Sequence, residues 1–219
     1  MTPRLLIPVK SLQAGKSRLS PVLDEPARRR LNEFFLRHVA RVAKEFPGAS
    51  NTTVVSACDG VLSLATSLGM SGLRQTAGGG LNAAVRQGVE SLRARGAEAI
   101  LIIPSDLPLV EAADLREIAS LGQSERIVVC PDKHRSGTNA IFLPPGKSID
   151  FRFGQGSCAE HARQMGRGRA LPLLHYNRRV AMDVDDPDDL ACWLRDAKTG
   201  LPASFPGQRP AQMKRGAPV

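Results

Sequence analysis

Several features that define other protein classes are scarce in this sequence of 219 residues. Its four cysteines are scattered, without a C-x-x-C pair or a histidine at zinc-ligand spacing, which argues against a disulfide framework and a zinc site. Aromatic residues make up only 4% of the chain, so the stacking platforms of a single-strand nucleic-acid binder are not expected. No apolar run approaches the roughly 18 residues of a membrane-spanning helix.

The first residues, Met-Thr-Pro-Arg, also lack the apolar stretch of a signal peptide. Together with the scattered cysteines, this predicts a cytoplasmic protein with reduced thiols and no membrane association. The oligomeric state stays open, with a homodimer as the commonest assembly.

Positive charge is what the chain has in excess, with a formal net charge of +9. Such a balance suits nucleic acid or anionic small molecules. The cations are dispersed, and no RNA-recognition or helix-turn-helix pattern is visible. Polyphosphate is therefore the favoured partner, and a basic nucleic-acid-binding protein is the weaker alternative.

Apolar, β-rich runs alternate with amphipathic helical patterns along most of the chain. Strands are predicted at residues 5–9, 52–57, 72–75, 99–103, 126–129, 139–143 and 171–176. Helices are predicted at residues 27–46, 60–68, 81–95, 111–121, 157–165 and 188–198. This alternation predicts an α/β fold with three α/β/α layers around a mostly parallel sheet. Residues 1–198 are expected to form one domain, and residues 199–219 a flexible basic tail rich in proline and glycine.

Residues 7–20 raise the question of a P-loop, because they contain Gly-Lys-Ser. A P-loop also needs a glycine five positions before Gly15, and Lys10 stands there instead. The stretch is better interpreted as a basic loop that follows the first strand and carries Lys10, Lys16 and Arg18. Open α/β sheets bind ligands at the carboxyl ends of their strands, where three cations suit a polyphosphate. A solvated basic loop is the alternative.

Two groups of acidic residues stand out, one after a predicted strand and one within an extended segment. Asp106 comes after the strand at 99–103, at the same predicted edge as the basic loop. Asp183 and Asp185 flank Val184, so they share one face of an extended segment. A few hard oxygen ligands of this kind suit Mg²⁺ shared with phosphates, which makes these aspartates the candidate metal site. A local turn role is the alternative for Asp106.

The next acidic residues have structural explanations. Asp186 precedes Pro187 and is predicted to be the N-cap of the last helix, with the proline at its first position. Asp188 and Asp189 are expected to occupy the first turn because of the helix dipole.

Two glycine-containing turns precede predicted helices. Residues 78–80 are all glycine, which would let the main chain approach a flat ligand closely, although they do not form G-x-G-x-x-G. Gly154 and Gly156 frame a second turn, with Ser157 as the predicted N-cap of the next helix. This turn is a candidate for a second anion site. A surface turn and a simple helix cap are the respective alternatives.

With these pieces in order, the sequence resembles the CofC family, the 2-phospho-L-lactate guanylyltransferases of deazaflavin coenzyme F-420 biosynthesis. The matching stretches, which span about residues 5 to 195, are IPVKSLQAGKSRLS, TAGGGLNAAVRQG, IPSDLPLV, SGTNAIFL, FGQGS and MDVDDPDDL. The resemblance implies the GT-A-like fold of nucleotide-diphospho-sugar transferases and of the MobA-like molybdenum-cofactor enzymes. It also implies transfer of GMP from GTP to a phosphorylated three-carbon acid, with release of pyrophosphate.

The resemblance further implies roles for individual residues. The triphosphate would be held by Lys10, Lys16 and Arg18. Guanine and ribose would lie near Gly79, Gly80 and Asn82. Mg²⁺ would be bound by Asp106, Asp183 and Asp185. The phosphate and carboxylate of the acid would be bound by Thr138, Gly154 and Ser157.

The acceptor acid is left open among 2-phospho-L-lactate, phosphoenolpyruvate and 3-phospho-D-glycerate, with general similarity inclining toward the last. Another nucleotidyltransferase, of the cytidylyl or molybdenum-cofactor type, is the nearest alternative function. The sequence shows no nucleophile with an adjacent base, and a phosphate monoester needs none because its second pKa of ~6 leaves it mostly anionic. The histidines are interpreted as structural or surface residues, with His161 closest to the proposed acid site.

Overall fold

The computed structural model of the chain describes residues 2–13, 15–76, 78–164 and 171–196. Its strands are β1 Arg4–Pro8, β2 Thr52–Ser56, β3 Ser71–Arg74, β4 Ile100–Ile102, β5 Val128–Pro131, β6 Thr138–Leu143 and β7 Leu173–Leu174. Its α-helices are α1 Glu25–Glu45, α2 Asp59–Ser67, α3 Gly80–Ala94, α4 Ala112–Leu121, α5 Ser157–Ala162, α6 Arg178–Ala181 and α7 Pro187–Asp196. The predicted tail, residues 199–219, lies outside the described residues.

The strands form one sheet in the order β3-β2-β1-β4-β6-β5-β7. β1 pairs in parallel with β2 and β4, as do β2 with β3 and β5 with β7. β6 runs antiparallel to both β4 and β5. The prediction of a mostly parallel, mixed sheet is therefore confirmed.

Helices cover both faces of this sheet, and β1 shows why. Successive side chains of a strand point to opposite faces, so Leu5 and Ile7 enter one apolar core and Leu6 enters the other. Val39 of α1 packs in the first core and Val85 of α3 packs in the second. A strand buried on both faces must be apolar throughout, which is the pattern of β1. These contacts confirm the three predicted layers.

A third apolar cluster joins two segments that are far apart in the sequence. It contains Leu19, from the loop after β1, and Val184, from the segment before α7. Trp193 of α7 packs against Phe35 of α1, with ring centroids 5.2 Å apart. The cluster therefore anchors the basic loop and the acidic segment against the same helix.

The differences from the predicted elements concern short segments. α6 was not predicted, because four residues are too few to show a helical period. The strand predicted at 171–176 is reduced to Leu173–Leu174, and β5 begins two residues later than the predicted strand at 126–129. Within the described ranges, no helix has the length and apolarity that a bilayer crossing requires.

Candidate active site

A cleft of about 610 Å³ opens at the edge of the sheet where β1 and β4 end and β6 begins. Because β6 is antiparallel to β4, its first residues lie beside the last residues of β4. The cleft is lined by residues from seven chain segments, which include Pro8, Arg18, Leu81, Pro104, Asp106, Asp132, His134, Ser136, Thr138, Asn139, Phe153, Gly154, Gln155, Asp183 and Asp185. The predicted acidic, basic and acid-binding segments thus meet at one edge.

Asp106 stands just after β4 and has an incomplete set of partners. Its Oδ2 pairs with the ammonium of Lys16. Its Oδ1 is buried and has no hydrogen-bond partner in the structure. A buried carboxylate oxygen without a protein donor is rare in native proteins, so this oxygen suits a site that takes a cation.

Asp183 is held in place by Asn139 of β6. The Asn139 amide nitrogen donates to the carbonyl oxygens of Val180 and Ala181, at 3.1 and 3.2 Å, and to Asp183 Oδ1 at 3.3 Å. Burial, reinforced by the charges of Asp106 and Asp185, raises the pKa of Asp183 to about 6. The site therefore carries more negative charge than its own residues compensate.

Lys16 lies at the centre of this acidic cluster. Its Nζ contacts Asp106 and also Asp185 Oδ1, at 2.8 Å, and only 7% of its side chain is exposed. Burial alone would lower the pKa of Lys16, but the charges of Asp106 and Asp185 outweigh it and raise the pKa above its ordinary value. The backbone of Lys16 has φ 61°, a left-handed conformation that is costly for a side chain other than glycine.

The aspartates do not by themselves form a metal-binding geometry among the described residues, and the Lys16 ammonium pairs with two of them. In residues 2–13, 15–76, 78–164 and 171–196, no three carboxylate, imidazole or thiol groups stand ready to hold one ion. The ammonium occupies the space between Asp106 and Asp185 and supplies the cation there. Hard oxygen donors, the unpartnered Oδ1 of Asp106 and the raised pKa of Asp183 all fit a divalent cation at this place.

The other two cations of the basic loop differ in position. Arg18 lines the cleft, whereas Lys10 is exposed and is not among the lining residues. The loop is held against α1, because the Asn32 side chain donates to the Leu12 carbonyl oxygen at 2.8 Å. Of the three predicted triphosphate residues, Lys16 and Arg18 therefore reach the site in this structure.

The glycine turn before α3 has a backbone that residues other than glycine rarely adopt. Gly79 has φ 101° and Gly80 has φ 65°, and a Cβ on Gly79 would lie 2.4 Å from the Cβ of Ala83. Asn82 has a use that the sequence did not show. Its amide accepts from the Phe153 N–H at 2.8 Å and donates to the Phe153 carbonyl oxygen at 3.3 Å, which ties α3 to the turn that carries Gly154.

The predicted acid-binding residues lie in two layers. Thr138 and Gly154 line the cleft, whereas Ser157 is fully buried behind them, with its Oγ 3.2 Å from the Thr138 Oγ1. The prediction of Ser157 as an N-cap was wrong. Gly156, at φ 76°, is the N-cap, and Ser157 is the first helical residue. Its hydroxyl is therefore free of the capping role and bonds across to β6.

The loop between β5 and β6 is a part of the site that sequence reasoning missed. Asp132 accepts the N–H groups of Ser136 and Gly137, at 2.9 and 2.8 Å, and this turn places His134 and Ser136 in the cleft lining. The polar, glycine-containing stretch between two predicted strands was the available signal. Its position followed only from the antiparallel pairing of β6.

The start of α7 is partly as predicted. Asp186 caps the helix, since its Oδ1 accepts the Asp189 N–H at 2.9 Å. The helix-dipole explanation of Asp189 was incomplete. Asp189 is buried, pairs with Lys133, and accepts the Asp185 N–H at 2.9 Å. It thereby fixes the backbone of one candidate metal ligand.

Comparisons with known proteins agree with this geometry. The family model described as "Guanylyl transferase CofC like" matches residues 3–196. A phosphoenolpyruvate guanylyltransferase of Rubrobacter xylanophilus is 40% identical over 85% of this chain and 90% of its own length. A 2-phospho-L-lactate guanylyltransferase of Methanobrevibacter smithii is 30% identical over 84% of this chain and 80% of its own.

Solved structures of more distant proteins show the same fold. A Desulfovibrio desulfuricans protein, provisionally named a nucleotide-diphospho-sugar transferase, superimposes with a TM-score of 0.72 at 18% identity, covering 92% of this chain and 88% of that one. A Mycobacterium tuberculosis protein solved with manganese gives a TM-score of 0.51 at 20% identity, covering 89% of this chain and 100% of that one. The GT-A-like fold is thus confirmed, and the chain belongs to the CofC family of guanylyl transferases.

Proposed function

We propose that this chain transfers GMP from GTP to a phosphorylated three-carbon acid and releases pyrophosphate, as a step of deazaflavin coenzyme F-420 biosynthesis. The observation that carries the proposal is that three carboxylates line one cleft together with Thr138 and Gly154, and that two of them, Asp106 and Asp185, pair with the buried Lys16 ammonium. The family of the chain supports the same reaction.

The reaction needs little covalent chemistry from the protein. The phosphate of the acid has its second pKa near ~6, so its oxygen is already mostly anionic at neutral pH. The bond that forms joins this oxygen to the α-phosphorus of GTP, and the bond that breaks releases pyrophosphate. The protein therefore acts by holding the two reactants in line and by compensating the charge on the leaving group.

Asp106, Asp183 and Asp185 are the residues that would hold the divalent cation, for which we propose Mg²⁺. A bound Mg²⁺ would supply Lewis-acid stabilisation of phosphate oxygens. Lys16 and Arg18 are proposed to contact the triphosphate, with Lys10 joining them from the exposed part of the loop. The Lys16 ammonium pairs with two of these carboxylates, Asp106 and Asp185, and would be available to the nucleotide if a divalent cation took its place there.

The guanine and ribose are proposed to lie beside Gly79 and Gly80. Both glycines have positive φ at the start of α3, and a helix N-terminus offers unpaired N–H donors. Asn82 follows these glycines in α3 and holds the Phe153 backbone, so it couples the proposed nucleotide site to the turn at Gly154.

The acid is proposed to be bound by Thr138 and Gly154, with Ser157 behind them. The names of the two relatives described above favour phosphoenolpyruvate or 2-phospho-L-lactate over 3-phospho-D-glycerate, toward which the sequence resemblance inclined. The relative with the higher identity is named for phosphoenolpyruvate, so we propose this acid as the acceptor.

The experiment that tests the proposal incubates the protein with GTP, Mg²⁺ and each of the three acids separately, and measures the GMP adduct by mass. We expect an adduct with phosphoenolpyruvate at the highest rate. Preference for CTP in a matched panel of nucleotides would replace the guanylyl assignment with a cytidylyl one. Salt-sensitive retention on DNA or RNA, unchanged by loss of Asp106 and Asp183, would instead support a nucleic-acid-binding protein.

A further inference from the structure

A fully buried histidine stands behind the proposed acid-binding residues. His161 lies on α5 with 0% of its surface exposed. Its Nε2 lies 2.9 Å from the Arg152 backbone nitrogen, and its Nδ1 lies 3.0 Å from the Thr138 Oγ1. The edge of its ring packs against Phe153, with centroids 5.2 Å apart. Both ring nitrogens are therefore engaged, and one of them contacts a residue of the cleft wall.

The two contacts determine which ring nitrogen carries the proton. A backbone N–H can only donate, so the Nε2 that faces Arg152 must be unprotonated and accept. Burial lowers the pKa of His161 to about 4, and Glu160 is the charged neighbour that opposes this shift. The imidazole is therefore neutral at neutral pH, and its single proton is on Nδ1. It follows that Nδ1 donates to the Thr138 Oγ1.

The hydrogens of the two neighbouring hydroxyls can now be counted. Thr138 and Ser157 have one O–H hydrogen each, and one of these two is used in the bond between them. Neither can go to His161, because Nδ1 is a donor and Nε2 is occupied. In the part of the chain that the structure describes, neither hydroxyl has another hydrogen-bond acceptor. One hydroxyl hydrogen is left over.

Burial decides which of the two hydroxyls keeps the remaining hydrogen. The Ser157 hydroxyl is fully buried and has no other acceptor among the described residues, so its hydrogen must go to the Thr138 Oγ1, 3.2 Å away. Thr138 then receives two hydrogen bonds and keeps its own hydrogen. Ser157 is fully buried, whereas Thr138 lines the cleft. The free O–H is therefore at the cleft surface, where an oxygen anion would accept it.

We propose that His161 is a positioning residue that fixes Thr138 as a hydroxyl donor to the carboxylate or phosphate of the acceptor acid. The inference rests on the proposed function. Because its acceptor positions are already used, the Thr138 hydroxyl can only donate to a ligand. It therefore favours an oxygen anion over a ligand group that carries its own hydrogen. His161 acts through Thr138 and does not touch the substrate.

Two substitutions of His161 separate its two contacts. His161→Gln places an amide near the position of Nε2, where its oxygen can accept from Arg152, and removes the donor to Thr138. His161→Asn places an amide near the position of Nδ1, where its nitrogen can donate to Thr138, and removes the acceptor for Arg152. We expect the Gln variant to raise KM for the acid about tenfold and the Asn variant to change it less than about threefold.

The KM for GTP should stay within about twofold in both variants, since a general loss of structure would raise both constants. His38→Gln, on α1 and away from the cleft, is the matched control and should leave both constants unchanged. Equal KM values for the acid in the Gln variant and the native enzyme would overturn the inference while the proposed function stands. Absence of any GMP adduct with the native enzyme would overturn both.

A double-mutant cycle shows whether His161 acts through Thr138. In a Thr138→Val background, His161→Gln should add no further rise in KM for the acid, because the hydroxyl that it orients is gone. Independent, multiplicative effects of the two substitutions would overturn the inference.

The native protein allows a test that needs no folded variant. Nitrogen NMR of the histidine side chains at pH 6 to 8 should show one imidazole protonated on Nδ1 and bare on Nε2, unaffected by addition of GTP. This signal is assigned to His161 by its absence from the His161→Asn spectrum or, if that variant does not fold, by its contact with the Phe153 ring. A His161 protonated on Nε2 would overturn the inference directly.

Discussion

The two sides of the cleft are built by different physical means. The metal side holds three carboxylates and the Lys16 ammonium, with an unpartnered oxygen on Asp106 and a raised pKa on Asp183. On the acid side, neutral hydrogen bonds hold Thr138 and His161 in place. Their buried polar atoms all have partners, and only the hydroxyl hydrogen of Thr138 has none among the described residues. The metal side has an excess of negative charge that bound ligands would compensate. The hydrogen bonds of the acid side are already formed without a ligand.

Loss of a carboxylate on the metal side should give the largest effect. Asp106→Asn and Asp183→Asn each remove a candidate metal ligand, and we expect GMP-adduct formation to fall at least ~10²-fold. The fold should persist, because each change also reduces the repulsion among the three carboxylates. Initial rates and thermal unfolding of the same preparations measure the two effects.

Asp59→Asn is the control for these variants, since Asp59 is a largely exposed aspartate of α2 whose partner is Arg74. It should leave the rate unchanged. A near-native rate in Asp106→Asn or Asp183→Asn would remove that residue from the site.

Replacement of the buried ammonium tests the balance of charge on the metal side. Lys16→Met keeps the apolar stem but leaves Asp106 and Asp185 without their cation, so Tm in EDTA should fall by roughly 5 °C. Addition of Mg²⁺ should raise Tm by more in this variant than in the native protein, because the competing ammonium is absent. Turnover should fall about tenfold or more, since a triphosphate contact is lost.

Lys44→Met, at an exposed position of α1, is the matched control and should change neither Tm nor turnover. A Lys16→Met protein with native Tm in EDTA would show that the ammonium does not stabilise the carboxylates.

The smallest expected effect, and the one that contrasts the two sides most sharply, concerns stability against pH in EDTA. The pKa of Asp183 is raised to about 6 by burial and by Asp106 and Asp185, so the native state binds more protons than the unfolded state between pH 4 and 6. This contribution stabilises the protein as the pH falls. The pKa of His161 is lowered to about 4 by burial, against the charge of Glu160, so its contribution is lost as the pH falls below 6.5.

The two variants should therefore change the acid limb of the Tm profile in opposite directions. Asp183→Asn should make the fall of Tm between pH 6.5 and 4 steeper, and His161→Asn should make it shallower, by about 2–4 °C each. Thermal unfolding at half-unit pH steps measures this. Changes of the same sign would contradict the assigned protonation states.

The sequence predicted which residues belong to the candidate site better than it predicted the contacts between them. Asp106 was identified because it follows an apolar strand, and parallel strands bring their carboxyl ends to the edge where ligands bind. Asp183 was identified because it shares one face of an extended segment with Asp185. The contact of Lys16 with Asp106 spans 90 residues and that with Asp185 spans 169, and no local pattern encodes such a pairing. The sequence showed a basic loop, and tertiary packing decided which of its cations is buried.

The acid side was harder to predict because it depends on hydrogen-bond direction. Ser157 has the residue type of an N-cap, and only the structure shows that Gly156 takes that position and leaves the Ser157 hydroxyl to Thr138. Asn82 likewise has the residue type of a ligand contact, and its amide is paired with the Phe153 backbone. Residue types restrict the roles of such side chains, and packing selects among them.

The central claim is that Asp106, Asp183 and Asp185 hold one divalent cation in this cleft. Electron paramagnetic resonance of Mn²⁺, titrated with a GTP analogue that cannot be cleaved at the α-phosphorus, tests it most directly. We expect one tight Mn²⁺ per chain in the native protein, and at least about tenfold weaker binding in Asp106→Asn and in Asp183→Asn. Native-strength binding of Mn²⁺ by both variants would show that these carboxylates do not hold the ion.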